Sequence, residues 1–178
     1  MSAILLWEYS IQASTPNWIE LDGTEPTQGK LRFKSANDNT NDTNDPLVRP
    51  GAGANYSFEK YTRVTVDTLP SIQVTDLRLL LSAYVQDSMF STTGLTFQYD
   101  FVVLGSYATP VQPTTDGTRT TLTTAAISWD NSGTFLTSGH SPGDMWGDMV
   151  VLVLKVASTV VNGGELKDFS VVARFNEI

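Results

Sequence analysis

Leu95-Thr96-Phe97-Gln98-Tyr99-Asp100-Phe101-Val102-Val103-Leu104 decides the fold class of this chain. Side chains alternate between the two faces of a strand, so Leu95, Phe97, Tyr99, Phe101 and Val103 share one face, with Thr96, Gln98 and Asp100 opposite. The same period of two recurs along the chain. Phe58, Val64 and Val66 point one way against Tyr61, Arg63, Thr65 and Asp67. Leu77, Leu79, Leu81, Ala83 and Val85 repeat it after Pro70, and residues 169–175 alternate again near the end. Residues 149–156 are apolar on both faces, which predicts a central strand covered on both sides. Less sharply patterned strands are expected at residues 4–11, 18–21, 30–35 and 120–129, and a turn at Asn162-Gly163-Gly164.

Eight or so strands joined by turn-rich segments predict an all-β fold: a single-domain antiparallel β-sandwich spanning residues 1–178, jelly-roll-like, with an open barrel-like sheet as the alternative. No internal repeat suggests a solenoid or propeller. A chain of 178 residues is long enough to bury roughly 70% of its unfolded surface. Only 17% of residues are charged, and Thr, Ser and Asn fill the gap, in keeping with strands and bends. The formal net charge is −8 and the isoelectric point is near 4.4. Lys and Arg are scattered, so neither nucleic acid nor an anionic membrane is an expected partner. The chain has no cysteine, which excludes disulfides and thiolate metal sites. Its first residues lack the basic start of a secretory signal, and its longest apolar run is far too short to cross a bilayer.

Three long segments, residues 36–55, 108–118 and 131–147, are expected to be loops that carry the contact surface. The first holds the polar run Asn37-Asp38-Asn39-Thr40-Asn41-Asp42-Thr43-Asn44-Asp45-Pro46. Counted as a calcium-binding loop from Asp38, it places Thr43 where glycine belongs and Arg49 where a bidentate glutamate belongs, so that motif fails. Short polar side chains capping their own backbone explain the run better. His140, the only histidine, lies near Ser141 and Asp144 in a Gly/Pro-rich stretch, where a turn is the simpler role than a catalytic triad. Glu8, Glu20, Glu59, Asp100, Asp130 and Asp144 are all available for two-carboxylate chemistry, and none is singled out. No enzymatic activity and no cofactor are expected. Of Trp7, Trp18, Trp129 and Trp146, the last is read as a loop residue and as the best aromatic anchor for a sugar or a protein partner.

The polar loop, Asp45-Pro46, the bend from Pro50 to Gly53, Tyr56-Ser57-Phe58-Glu59-Lys60-Tyr61, residues 72–77, Val150-Val151-Leu152-Val153-Leu154-Lys155-Val156 and the final Phe175-Asn176-Glu177-Ile178 resemble small β-rich virion proteins of tailed bacteriophages. The resemblance covers roughly half the chain and rests on spacing and residue type. It implies a structural part of the particle: a capsid decoration or cement subunit, or else a neck, tail or fibre component. It further implies assembly as a homo-oligomer, with a trimer favoured, and the major capsid protein or other virion proteins as partners. The localisation would be the virion, assembled in the host cytoplasm. The expected partner-binding residues are Asp38, Asp42, Asp45 and Arg49 in one loop and His140 and Trp146 in another. The N-terminal residues 1–7 would add contacts if they left the core to pair elsewhere. A carbohydrate-binding β-sandwich module is the alternative from another class.

Overall fold

The structure, a computed structural model, describes residues 4–12, 14–21, 31–40, 44–69, 73–81, 94–103, 105–129, 136–137, 141–160 and 171–177. Among these residues there is no helix, and the strands are β1 (Ile4–Ser10), β2 (Ile19–Glu20), β3 (Ala54–Tyr56), β4 (Lys60–Thr68), β5 (Gln73–Leu81), β6 (Leu95–Val102), β7 (Thr120–Thr121), β8 (Ile127–Ser128), β9 (Leu136–Thr137), β10 (Met145–Ala157) and β11 (Val171–Glu177). β1, β4, β5, β6, β10 and β11 are the long ones, and all but β1 had been read from an alternating or doubly apolar signature. The others are two or three residues long: β2 lies within the strand expected at 18–21, β7 and β8 split the one expected at 120–129, and β3 and β9 were not expected.

All pairings are antiparallel. The larger sheet runs β2-β1-β4-β10-β6-β7, with β3 beside β10, and the smaller runs β11-β5-β8, with β9 beside β5. β10 is the central strand that its doubly apolar sequence predicted, flanked by β4 and β6. Trp146, Val150, Leu152, Leu154 and Val156 face the smaller sheet. There they meet Val74, Leu77, Leu79 and Leu81 of β5, Trp129 and Leu122, together with Val64, Val66, Leu95 and Phe97 from the flanking strands. Tyr61, Met149 and Val151 point the opposite way and form a second, smaller apolar cluster on the outer face.

Two irregularities keep side chains in phase with the core. Val74 and Leu77 are three residues apart yet both fully buried; Asp76, at φ 61°, takes up the extra residue, and the register against β11 slips there. In β10 the register against β4 slips between Trp146 and Val150, and Gly147 adopts φ 72°. Such a bulge needs the left-handed region that glycine enters without strain.

Two sequence expectations are corrected. Residues 31–35 are not a strand: Leu31 and Phe33 turn onto the core, and the backbone there bonds to loops rather than to a ladder. Of the N-terminal segment 1–7, residues 4–7 stay on the core; residues 1–3 lie outside the described residues. Residues 4–10 form β1, paired along their length with β4 and with Leu5 and Trp7 packed on the core, because those apolar side chains continue the inner face of the sheet.

Candidate contact surface

Between β3 and β4 the chain steps away from its ladder for three residues, Ser57 to Glu59. Ser57 stays attached to β10: its N–H donates to the Leu154 carbonyl (2.9 Å), and its Oγ accepts from the Leu154 N–H (3.0 Å). The next two N–H groups are turned outward and each holds a long loop. Phe58 N–H donates to the Lys34 carbonyl and Glu59 N–H to the Val111 carbonyl, both at 3.0 Å. Two loops far apart in sequence are thereby fastened side by side at one end of the sandwich.

The first loop is anchored from below by Lys60, which is 0% exposed on the core-facing side of β4. Its Nζ donates to the Asp38 carbonyl at 2.5 Å. Burial pushes the Lys60 ammonium down to about 8; the Asp38 carboxylate works against this and the Lys34 ammonium with it. Lys34, also buried, pairs with the Asp38 carboxylate at 2.9 Å and donates to Thr40 Oγ1. Asp38 Oδ1 accepts from Thr40 N–H and from the Thr40 hydroxyl, the local capping expected of a short polar run. Burial would raise the Asp38 carboxyl, but the bonds from Lys34 and Thr40 outweigh it and hold it below the ordinary carboxylate value. Farther along, Asp45, at φ 50°, offers its carbonyl to the N–H and hydroxyl of Ser35. Arg49 Nε donates to the Ser158 carbonyl (2.8 Å), and Asn55 Nδ2 to the Val48 carbonyl (2.9 Å). Val48 is left 58% exposed on this braced backbone.

The second loop, residues 105–119, is fastened mainly through side chains. Asp116 accepts from Tyr56 Oη (2.9 Å), Gln98 Nε2 (2.8 Å) and Lys155 Nζ (2.7 Å), gathering β3, β6 and β10 onto one carboxylate. The Lys155 bond, opposed by burial and helped by Gln98 and Tyr56, lowers the Asp116 carboxyl; the same bond raises Lys155. Glu59 accepts from Val111 N–H and pairs with Arg119. Val111 stays 51% exposed, so both loops present a valine on a fixed frame.

On the outer face, Tyr107 of this loop packs on Tyr61 (ring centroids 4.7 Å apart) and on Trp18 (6.0 Å). Arg63 lies 4.4 Å over the Trp18 ring and pairs with Glu8, its cross-strand neighbour.

Of the predicted residues, Asp38, Asp45 and Arg49 lie in the braced first loop, where each has an intramolecular bond. Asp42 and His140 lie outside the described residues. Trp146 is corrected outright: it is not a loop anchor but a β10 residue, 1% exposed and packed on Phe175, because the bulge at Gly147 extends β10 back to Met145. Glu8, Glu59 and Asp100 are engaged in structural bonds, Asp144 accepts from Ser141 N–H, and Asp130 lies outside the described residues. Among the described residues no three His, Cys, Asp or Glu side chains come together to hold a metal ion. Sequence reasoning missed Lys60, Asp116 and Arg119. For Lys60 a signal existed, since it shares parity with Val64 and Val66. For Asp116 and Arg119, whose partners are distant in sequence, there was none. No protein-family model, curated protein or solved structure matches the chain.

Proposed function

We propose that the chain is a non-enzymatic structural component of a tailed-bacteriophage particle, a capsid decoration or cement subunit that binds and stabilises the head shell. The observation that supports this reading is the paired, braced loops at the Ser57-to-Glu59 step, which hold Val48 and Val111 exposed on ordered backbone. A surface ordered before docking loses little conformational freedom on binding. Many copies then lock neighbouring capsid proteins even if each makes a modest interface. A homo-oligomer, trimer favoured, and a jelly-roll-like winding of the strands belong to the same proposal, with neck, tail or fibre as the other places in the particle.

The test is quantitative mass spectrometry of purified particles. Copies in a simple ratio to the major capsid protein support decoration. A handful per particle moves the chain to the neck, tail or fibre, and absence ends the virion reading. Val48→Asp and Val111→Asp should then lower occupancy on the shell without unfolding the protein. A second reading, a carbohydrate-binding module, is favoured by one observation, the half-buried group of Trp18 and Tyr107 beside Arg63. Unchanged tryptophan fluorescence across a glycan panel would remove it.

A further inference from the structure

Residues 105–119 contain no strand, yet they lie across an apolar surface. Tyr61, Met149 and Val151 point away from the main core, and Tyr107 packs against them from the loop side. One backbone bond, Glu59 N–H to the Val111 carbonyl, joins this segment to the end of β4. The other fastenings run through side chains, and three of them end on carboxylates. Asp116 gathers Tyr56, Gln98 and Lys155; Glu59 holds Arg119 and the Val111 N–H; Asp100 accepts from the Thr118 hydroxyl. Neutral groups hold further points: Tyr107 Oη on the Gln12 carbonyl and Ser10 Oγ, Gln112 Nε2 on the Tyr56 carbonyl, and the Ala108 backbone on the Tyr61 hydroxyl.

The closed joint is incomplete. Gln98, 3% exposed, leaves its Oε1 without a partner, and Arg119 leaves its Nε without one, although both atoms are buried. A buried acceptor and a buried donor that go unpaired each lose hydration with nothing in return. Opening the segment would restore water to both, which lowers the cost of opening relative to a fully satisfied joint. Segments fixed by few backbone bonds open at lower free energy than the ladders beneath them.

We propose that residues 105–119 are a strap, pinned by the Asp116 carboxylate, which lifts off the outer face of the larger sheet as a unit when that carboxylate is neutralised, while the sandwich stays folded. Opening takes Tyr107 off Tyr61 and so uncovers part of the cluster that Tyr61 forms with Met149 and Val151. The groups facing the Asp116 carboxylate are Tyr56 from β3, Gln98 from β6 and Lys155 from β10, while its backbone carbonyl accepts from the Arg119 N–H of the strap itself. The sign follows from the Asp116 carboxyl, which the Lys155 bond lowers in the closed form. A carboxyl held low favours the closed form at neutral pH, and that preference is lost as pH falls through its closed-state value. Release therefore belongs to acid below the ordinary carboxyl range.

Hydrogen exchange of the full chain, read peptide by peptide by mass spectrometry and corrected for intrinsic rates, tests this directly. Between neutral pH and pH 2, protection across 105–119 should fall severalfold while β6 and β10 keep theirs. Asp116→Ala should bring the same local loss at neutral pH. If the strap loses protection only together with β6 and β10, or if acid leaves it unchanged, the proposal is overturned. The wild-type pH series needs no variant, so a failure of Asp116→Ala to fold would not obscure the outcome.

Discussion

Replacing Lys60 by methionine should remove a gain in stability that the wild type makes at alkaline pH. Lys60 carries an ammonium into the inner face of β4, where its one hydrogen bond among the described residues goes to the Asp38 carbonyl. Burial lowers its proton affinity from the ordinary 10.5 to about 8. The unfolded chain therefore binds this proton more tightly than the folded chain does. Between about pH 8 and pH 10.5 the unfolded state holds more protons, so raising the pH stabilises the fold. Each tenfold change in proton affinity is worth about 1.4 kcal/mol, which puts the whole effect at roughly 3 kcal/mol. Below pH 8 the charged form is retained in the core at that cost.

Methionine fills a similar volume without charge, but it orphans the Asp38 carbonyl, a loss of about 1–3 kcal/mol that offsets much of the gain. The two proteins should accordingly differ little near pH 7. The decisive quantity is the pH dependence. Urea unfolding followed by fluorescence of the buried Trp129 and Trp146 would give stabilities at pH 7, 8.5 and 10. The wild type should gain on Lys60→Met by up to roughly 3 kcal/mol between the first and the last. Every other titrating group is common to both chains and cancels in the difference. Parallel pH profiles would refute the reasoning, since they would mean that Lys60 is solvated or keeps its ordinary proton affinity in the fold.

Gly147→Ala should destabilise by roughly 1–2 kcal/mol, because it forces a side chain into the left-handed region; the added methyl would also stand 3.4 Å from Leu77 Cδ2 and from the Trp129 carbonyl. Thermal melts would detect the loss, and an unchanged midpoint would mean the bulge relaxes. Trp146→Ala should cost about 3–5 kcal/mol through the cavity it leaves, with any variant that stays folded still docking to particles. Loss of docking at undiminished stability would restore Trp146 to the contact surface. Arg49→Ala should leave stability within about 0.5 kcal/mol while lowering occupancy on purified shells, and unchanged occupancy would remove Arg49 from the docking face.

The strands were legible because alternation is local. Leu95, Phe97, Tyr99 and Phe101 declare a face whatever they meet, and residues 149–156 declare a strand apolar on both sides. The strand expected at residues 120–129 is in fact two strands of two residues, β7 and β8, whose extent is set by the partner strands rather than by a pattern of their own. The polar run from Asn37 to Asp45 was legible as self-capping, and Asp38 with Thr40 does that. Trp146 was misread because the turn-rich stretch before it masked a bulge that keeps β10 extended. Gly147 looks the same in sequence whether it ends a loop or kinks a strand.

The sequence by itself determined an all-β chain, its long strands, which residues share a face, and an acidic surface poor in charge clusters. The tertiary structure alone decided which face is covered and by what. Lys60 follows the same parity rule as Val64, yet only the fold shows it sealed beneath Asp38. Asp116 joins three strands that the chain separates by tens of residues. Parity is a property of neighbouring peptides, whereas burial and ion pairing depend on what the rest of the chain brings to the same point in space.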